Sequence, residues 1–74
     1  MEQVDFPLTS EYIELNQLLK LVGICASGGA GKMLVANGKV RVDREIELRK
    51  TCKIRAGQIV NYANTRITVA AKVN

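Results

Sequence analysis

The 74-residue chain contains no histidine and no tryptophan. Without histidine it lacks the commonest general base and the commonest zinc ligand. No nucleophile stands beside a plausible base in the sequence either. We therefore expect a protein that is not an enzyme and that holds neither a metal ion nor another cofactor.

Aromatic residues and long apolar runs are also scarce. One phenylalanine and two tyrosines are present, whereas domains that stack single-stranded bases carry exposed aromatic side chains on their strands. No apolar run approaches the roughly 18 residues of a membrane-spanning helix, and the acidic start of the chain is unlike a signal peptide. We expect one cytoplasmic domain over residues 1–74, with no membrane partner.

Basic residues are absent from the first 18 positions, which carry four acids. Residues 19–74 carry all eleven lysines and arginines against three acids, a balance of +8. A compact region of this charge predicts a polyanionic partner such as nucleic acid. The alternative is a solvated surface whose charge serves solubility alone.

Two helices are predicted in the first half of the chain. The first has an apolar stripe at helical spacing and ends near Gly23; the stripe consists of Leu15, Leu18, Leu19 and Val22. Its polar face is predicted to carry Asn16, Gln17 and Lys20. The second begins after an N-cap at Ser27 and runs to about residue 37. Its buried side is predicted to be Ala30, Met33 and Leu34, with Lys32 facing outward.

After Gly38 the apolar period changes from 3.6 to 2, which predicts four or five short, half-buried strands. Their inward residues are predicted to be Val40, Val42, Ile46, Leu48, Cys52, Ile54, Val60, Tyr62, Ile67 and Val69. Hairpin turns are expected at residues 43–44, 56–57 and 63–64, and Val4 with Phe6 could form an edge strand. The order predicts an α+β fold in which a helix pair packs on a small, mostly antiparallel β-sheet.

The outward-facing positions of these strands are rich in basic residues. The core does not use these side chains, so they are free to form a surface. They are Lys39, Arg41, Arg49, Lys53, Arg55 and Arg66. Residues 48–55 carry four bases and no acid, and Lys50 breaks the alternation, which indicates a loop or bulge there. Lys20 and Lys32 face outward from their helices.

A glycine-rich segment opens the second helix, at residues 28–31. It is not a nucleotide-binding P-loop, because Ala26 stands at the first glycine position and Met33 at the hydroxyl position. A helix start of this kind can still present backbone N–H groups to one phosphate. The alternative is a capped helix start with no ligand.

From Tyr12 to Val60 the chain resembles the RNA-binding domain named after ribosomal small-subunit protein S-four, and most of all its small standalone bacterial YbcJ-like members. The resemblance rests on the order and spacing of several segments: Leu15–Lys20 with Gly23, Ser27–Ala30 with Lys32, Gly38–Asp43, Glu47–Ile54 and Gly57–Val60. It implies the alpha-L motif, a helix pair joined to a β-hairpin, within residues 12–60. In the family, the second helix with the adjoining strand and loop forms a basic surface on structured RNA.

The resemblance implies RNA contacts at Ser27, Gly28, Lys32, Arg41, Arg49, Lys50 and Lys53. To these the charge pattern adds Lys20, Lys39 and Arg55. Two positions depart from the family. Arg44 stands where glycine is frequent, and Gly31 stands where alanine is usual, which we expect to weaken the helix without removing a contact.

The predicted function is non-catalytic binding of structured RNA, such as ribosomal RNA, its precursors or tRNA. The protein would act alone as a small RNA-binding factor or with a ribosome-associated or enzyme partner. The alternative is a protein-interaction adaptor whose basic face meets an acidic partner. A ubiquitin-like sulfur carrier is disfavoured, because the sequence ends in Lys72-Val73-Asn74 rather than Gly-Gly.

Overall fold

The computed structural model describes residues 2–72, which form two helices and seven strands. The elements are β1 (Glu2–Leu8), β2 (Ile13–Glu14), α1 (Leu15–Leu21), α2 (Gly28–Ala36), β3 (Val40–Val42), β4 (Glu45–Ile46), β5 (Lys53–Ile54), β6 (Ile59–Tyr62) and β7 (Thr65–Ala71). The helix pair and the mostly antiparallel sheet confirm the predicted fold class.

Five strands form the main sheet, in the order β1-β7-β6-β3-β4. All neighbours are antiparallel except β1 and β7, which run parallel. The predicted N-terminal edge strand is thus present, and it continues through Pro7 to Leu8 because an edge strand tolerates the missing N–H of proline. Strands β2 and β5 pair separately as a small antiparallel sheet.

Helix α1 buries the predicted stripe, since Leu15, Leu18 and Leu19 are fully enclosed. It ends before Gly23, which has a φ of +85°, a conformation that glycine adopts without strain. The polar-face prediction was wrong for Asn16, whose side chain is only 2% exposed. Asn16 faces α2, so α1 has a second contact surface that its apolar pattern does not reveal.

Helix α2 begins at the predicted cap, where the Ser27 Oγ accepts a hydrogen bond from the Ala30 N–H at 3.1 Å. Its predicted buried side was right only for Leu34, which is half-buried against the core. Ala30 and Met33 are exposed, and Gly31 and Val35 are the buried residues. A Cβ atom on Gly31 would lie 2.6 Å from the Asn16 carbonyl oxygen. The glycines therefore allow the two helix backbones to approach closely, which explains why a weak helix-forming sequence is tolerated here.

The hydrophobic core lies between the helix pair and one face of the main sheet. The sheet contributes Val40, Val42, Val60, Ile67 and Val69, all buried. Ile46 and Leu48 were predicted to face this core but are 52% and 61% exposed. Ile46 lies directly opposite Arg41, and cross-strand partners share one face, so the register turns Ile46 outward with the arginine.

Two of the three predicted hairpin turns are hairpins. Residues 43–44 join β3 to β4, and residues 63–64 join β6 to β7. The turn at residues 56–57 exists, but it leads from β5 to β6, which belong to different sheets, so the hairpin prediction there was wrong. The two cysteines, Cys25 and Cys52, are half-buried free thiols.

Candidate nucleic-acid interface

The first turn of α1 lies between two regions that the sequence associates with RNA. The Leu15 N–H donates to the Cys52 carbonyl at 2.8 Å, and the Asn16 Nδ2 donates to the Gly28 carbonyl at 3.4 Å. The start of α2 and the basic segment 49–55, which includes β5, are therefore neighbours. We call their predicted contact residues the helix-side surface: Ser27, Gly28, Lys32, Arg49, Lys50, Lys53 and Arg55.

The start of α2 presents backbone donors at this surface. Gly28 and Gly29 are its first residues, and the first N–H groups of a helix have no intrahelical acceptor. A Cβ atom on Gly28 would lie 2.8 Å from the Gln17 Nε2, so the backbone packs tightly on α1. Lys32 follows on the exposed side of the helix. An anion placed here would meet N–H dipoles and one ammonium group.

The Tyr12 ring contacts two basic side chains of the helix-side surface. Its ring centroid lies 4.9 Å from the Lys53 Nζ and 5.7 Å from the Arg55 guanidinium carbon, both within cation–π range. The pairing of β2 with β5 sets this arrangement, because Ile13 is the partner of Ile54. Arg55 also forms an ion pair with Glu11 at 3.3 Å. Sequence reasoning missed Tyr12, because that register cannot be read from either strand alone.

Glu47 and Arg49 order the loop between β4 and β5. The Arg49 Nε and Nη2 donate to the two carboxylate oxygens of Glu47 at 2.9 and 3.1 Å, and the Arg49 backbone N–H donates to the same carboxylate at 3.0 Å. These bonds lower the pKa of Glu47 to about 2. The sequence analysis did not identify this pair, although opposite charges two residues apart in an extended segment are a signal for it.

The surface of this loop has a shallow depression of about 420 Å³, which is lined by Arg49, Thr51, Cys52 and Lys53. Burial raises the pKa of the Cys52 thiol, with a further contribution from the Glu47 carboxylate. Lys50 is exposed in the turn beside this depression. Within residues 2–72, Lys50 and Lys32 have no acidic partner at ion-pair distance, so their charges are available to a ligand.

We expect the Glu47–Arg49 pair to make stability depend on acid pH. A carboxylate whose pKa is lowered on folding stabilises above its unfolded value, near 4.5, and this contribution is lost as the pH falls through about 2. Glu47→Gln should therefore reduce the free energy of unfolding at neutral pH by about 1 kcal/mol or less, because Arg49 is exposed. Urea unfolding measured from pH 7 to about 2 should show the difference from wild type shrinking. Glu45→Gln on β4 makes the same charge change as a control, and a Glu47→Gln difference that does not vary with pH would contradict this role.

Three predicted contact residues are not among those of the helix-side surface. Arg41 is on the sheet face opposite the helices, where its Nη1 donates to the Arg44 carbonyl at 3.3 Å. Lys39 precedes it by two residues and shares its strand phase. Lys20 is exposed in the last turn of α1, one helical turn beyond Asn16. The ten predicted residues thus do not form one surface.

Neither a membrane-spanning helix nor a metal-binding cluster is found in the part of the chain that the structure describes. Neither α1 nor α2 is long and apolar enough to cross a bilayer. Among residues 2–72, no three His, Cys, Asp or Glu side chains are grouped closely enough to hold a metal ion.

A profile of the S4 domain matches residues 6–70 of the chain. The chain belongs to the S4 domain family. Its resemblance to this family is confirmed. The YbcJ proteins of Escherichia coli (strain K12) and Shigella flexneri are each 47% identical to this S4 domain over 60 residues, which are 81% of this chain and 86% of theirs.

The fold of this S4 domain is also similar to the solution structure of E. coli YbcJ, which reveals an alpha-L motif involved in RNA binding. The TM-score is 0.67 at 41% sequence identity, covering 96% of this chain and 89% of the YbcJ chain. The predicted alpha-L arrangement of the helix pair and hairpin is thereby confirmed.

Proposed function

We propose that this S4 domain binds structured RNA, such as ribosomal RNA, its precursors or tRNA, without catalysing a reaction. The observation that carries the proposal is the position of the first turn of α1, which brings the start of α2 beside the basic segment 49–55. Membership of the S4 domain family and similarity to YbcJ, whose alpha-L motif is involved in RNA binding, support the same conclusion.

The residues of the helix-side surface have different roles in this proposal. Lys32 and Lys50 contact phosphates directly, because no acid neutralises them within residues 2–72. Tyr12 orients Lys53 and Arg55 toward the backbone of the RNA. Arg49 mainly orders the loop between β4 and β5, because its Nε and Nη2 are hydrogen-bonded to Glu47. Only its remaining donors can reach a ligand.

Recognition on this surface depends on shape and charge rather than on base stacking. Duplex RNA is read mostly through its phosphates and 2′-hydroxyl groups across the minor groove. Lysines, arginines and helix N–H groups supply the donors that such a backbone needs. The one tyrosine at the surface is already covered by two cations, so it is not an open platform for a base.

Lys32→Ala and Lys50→Ala should each weaken binding to a short blunt RNA duplex without unfolding the protein. If each lysine neutralises one phosphate, its loss should flatten the plot of log affinity against log salt by about 0.7 to 0.9. Fluorescence anisotropy at several salt concentrations measures both quantities. The matched control is Lys72→Ala, the same charge change at an exposed residue after β7.

Equal and small effects at the three lysines would contradict the proposal, because a charge that serves solubility alone predicts no distinction between them. The adaptor alternative would be favoured if the wild type bound an acidic polypeptide, such as polyglutamate, but not the duplex. Both titrations use the same labelled protein and the same buffers.

A further inference from the structure

Two side-chain amides of α1 meet the start of α2. The Asn16 Nδ2 donates to the Gly28 carbonyl at 3.4 Å. A Cβ atom built on Gly28 would lie 3.4 Å from the same nitrogen and 2.8 Å from the Gln17 Nε2. Successive residues of a helix do not face each other, yet both amides end at one point of the α2 backbone. We call Asn16 and Gln17 the amide pair.

The side-chain oxygen of Asn16 has no donor. The residue is 2% exposed, and its Oδ1 is buried without a hydrogen-bond partner among residues 2–72. Because the Nδ2 of the same amide is bonded to Gly28, this oxygen also lies at the start of α2. A buried acceptor without a donor costs free energy. A ligand donor that arrives at the start of α2 would remove this cost.

The Gln17 amide beside it is not fixed by a hydrogen bond. Gln17 is half-buried, and in the part of the chain that the structure describes its amide has no partner. It is the end of a flexible side chain, so it can rotate outward without breaking a hydrogen bond. The amide pair can therefore open to a ligand while the backbones of α1 and α2 stay in place.

The same place offers backbone donors to a phosphate. The N–H groups of Ala30 and Gly31 are already bonded to Ser27, each at 3.1 Å. Those of Gly28 and Gly29 have no acceptor among residues 2–72. A phosphodiester carries acceptors only, so it fits these two N–H groups but cannot donate to the Asn16 Oδ1.

The donor that the amide pair lacks is present in the backbone of RNA. The ribose 2′-hydroxyl both donates and accepts a hydrogen bond, and it is the group by which a protein distinguishes RNA from DNA. Every phosphate of an RNA strand lies next to a ribose that carries this hydroxyl. A phosphate at the start of α2 therefore brings a donor close to the Asn16 Oδ1.

We propose that the amide pair reads a ribose 2′-hydroxyl beside a phosphate held by the N–H groups of Gly28 and Gly29. The Gln17 side chain rotates outward, and the hydroxyl donates to the Asn16 Oδ1. The Gln17 Nε2 donates in turn to the hydroxyl oxygen. This inference rests on the proposed function, to which it adds the chemical group that makes the helix-side surface specific for RNA.

The test compares a short blunt RNA duplex with the same duplex carrying fluorine in place of every 2′-hydroxyl. The fluorinated duplex keeps the A-form shape and the phosphate charge but has no hydroxyl donor, whereas DNA differs in shape as well. In fluorescence anisotropy the wild type should bind the RNA duplex about five- to tenfold more tightly, the effect of one hydrogen bond to a buried acceptor.

Asn16→Leu keeps the branching of the side chain and removes the amide, so it should reduce this ratio to about one. Its affinity for the fluorinated duplex should stay close to the wild-type value, because the phosphate contacts remain. A loss of packing alone would weaken the binding of both duplexes. Gln17→Met removes one of the two hydrogen bonds and should keep part of the ratio. Gln3→Met, the same change on β1, is the matched control and should leave the ratio unchanged.

A measurement on the wild type covers the case in which Asn16→Leu fails to fold. The NMR signals of the Asn16 side-chain NH2 group should shift more with the RNA duplex than with the fluorinated duplex. Equal shifts with both duplexes would overturn the inference.

The outcomes separate this inference from the proposed function. If the wild type binds both duplexes equally, or if folded Asn16→Leu keeps the full ratio, the amide pair does not read the hydroxyl. A loss of affinity in Lys50→Ala would then still support the proposed function. If neither duplex binds, the proposed function fails and this inference fails with it.

Discussion

Leu18→Ala should lower the free energy of unfolding by about 2 to 5 kcal/mol. Leu18 is fully buried in the hydrophobic core, so its truncation leaves a cavity that the surrounding side chains fill only partly. A domain of this size has little stability to lose, and the variant could be largely unfolded at 37 °C. Leu19→Ala, at an equally buried position, should behave in the same way.

The control for this prediction is Leu21→Ala on the same helix. Leu21 is 62% exposed, so the same truncation should change the free energy of unfolding by less than about 0.5 kcal/mol. Urea unfolding followed by circular dichroism measures all three variants. If Leu18→Ala and Leu19→Ala retained the wild-type midpoint, α1 would not pack as described.

Gly31→Ala should destabilise the protein by about 1 to 3 kcal/mol, although alanine is the better helix former by about 1 kcal/mol. The added Cβ would lie 2.6 Å from the Asn16 carbonyl oxygen and 3.1 Å from its Cα, both backbone atoms that cannot rotate away. The two helices would have to separate. Because α1 connects the two parts of the helix-side surface, RNA affinity should fall together with stability.

Gly29→Ala is the control for this prediction, because the same substitution two residues earlier in α2 should change stability in the opposite direction. A Cβ at Gly29 would meet only the Ser27 Oγ, at 3.9 Å, an ordinary contact. The variant should therefore gain up to about 1 kcal/mol from helix propensity. If Gly31→Ala also stabilised the protein in thermal unfolding, the close approach of α1 and α2 would be wrong.

The fold was predictable where a residue's environment depends on local spacing. The α1 stripe, the Ser27 cap and the alternation of Val40 and Val42 are local patterns, and the structure agrees with each. The wrong assignments share another cause. The buried side of α2 is decided by the approach of its glycines to Asn16, and glycine carries no hydropathy signal. The exposure of Ile46 is decided by its register with Arg41.

The candidate site was predictable in its composition more than in its arrangement. The strand phase correctly left the basic residues outside the core, and the helix start at Ser27 is capped as expected. Charge counting could not separate the helix-side surface from the sheet face opposite the helices, because Arg41 and Arg49 have the same phase relative to their apolar neighbours. Tertiary contacts also decide which basic side chains form ion pairs with acidic ones, as in the pair between Arg55 and Glu11.

The most direct test of the account is an NMR titration of the isotope-labelled protein with a short blunt RNA duplex. The claim is that the start of α2 and the segment 49–55 form one binding surface across the first turn of α1. The backbone amides of residues 27–32 and 49–55 should therefore shift or broaden together, with one common dissociation constant. Shifts confined to the sheet face opposite the helices, or two regions that titrate with different dissociation constants, would contradict it.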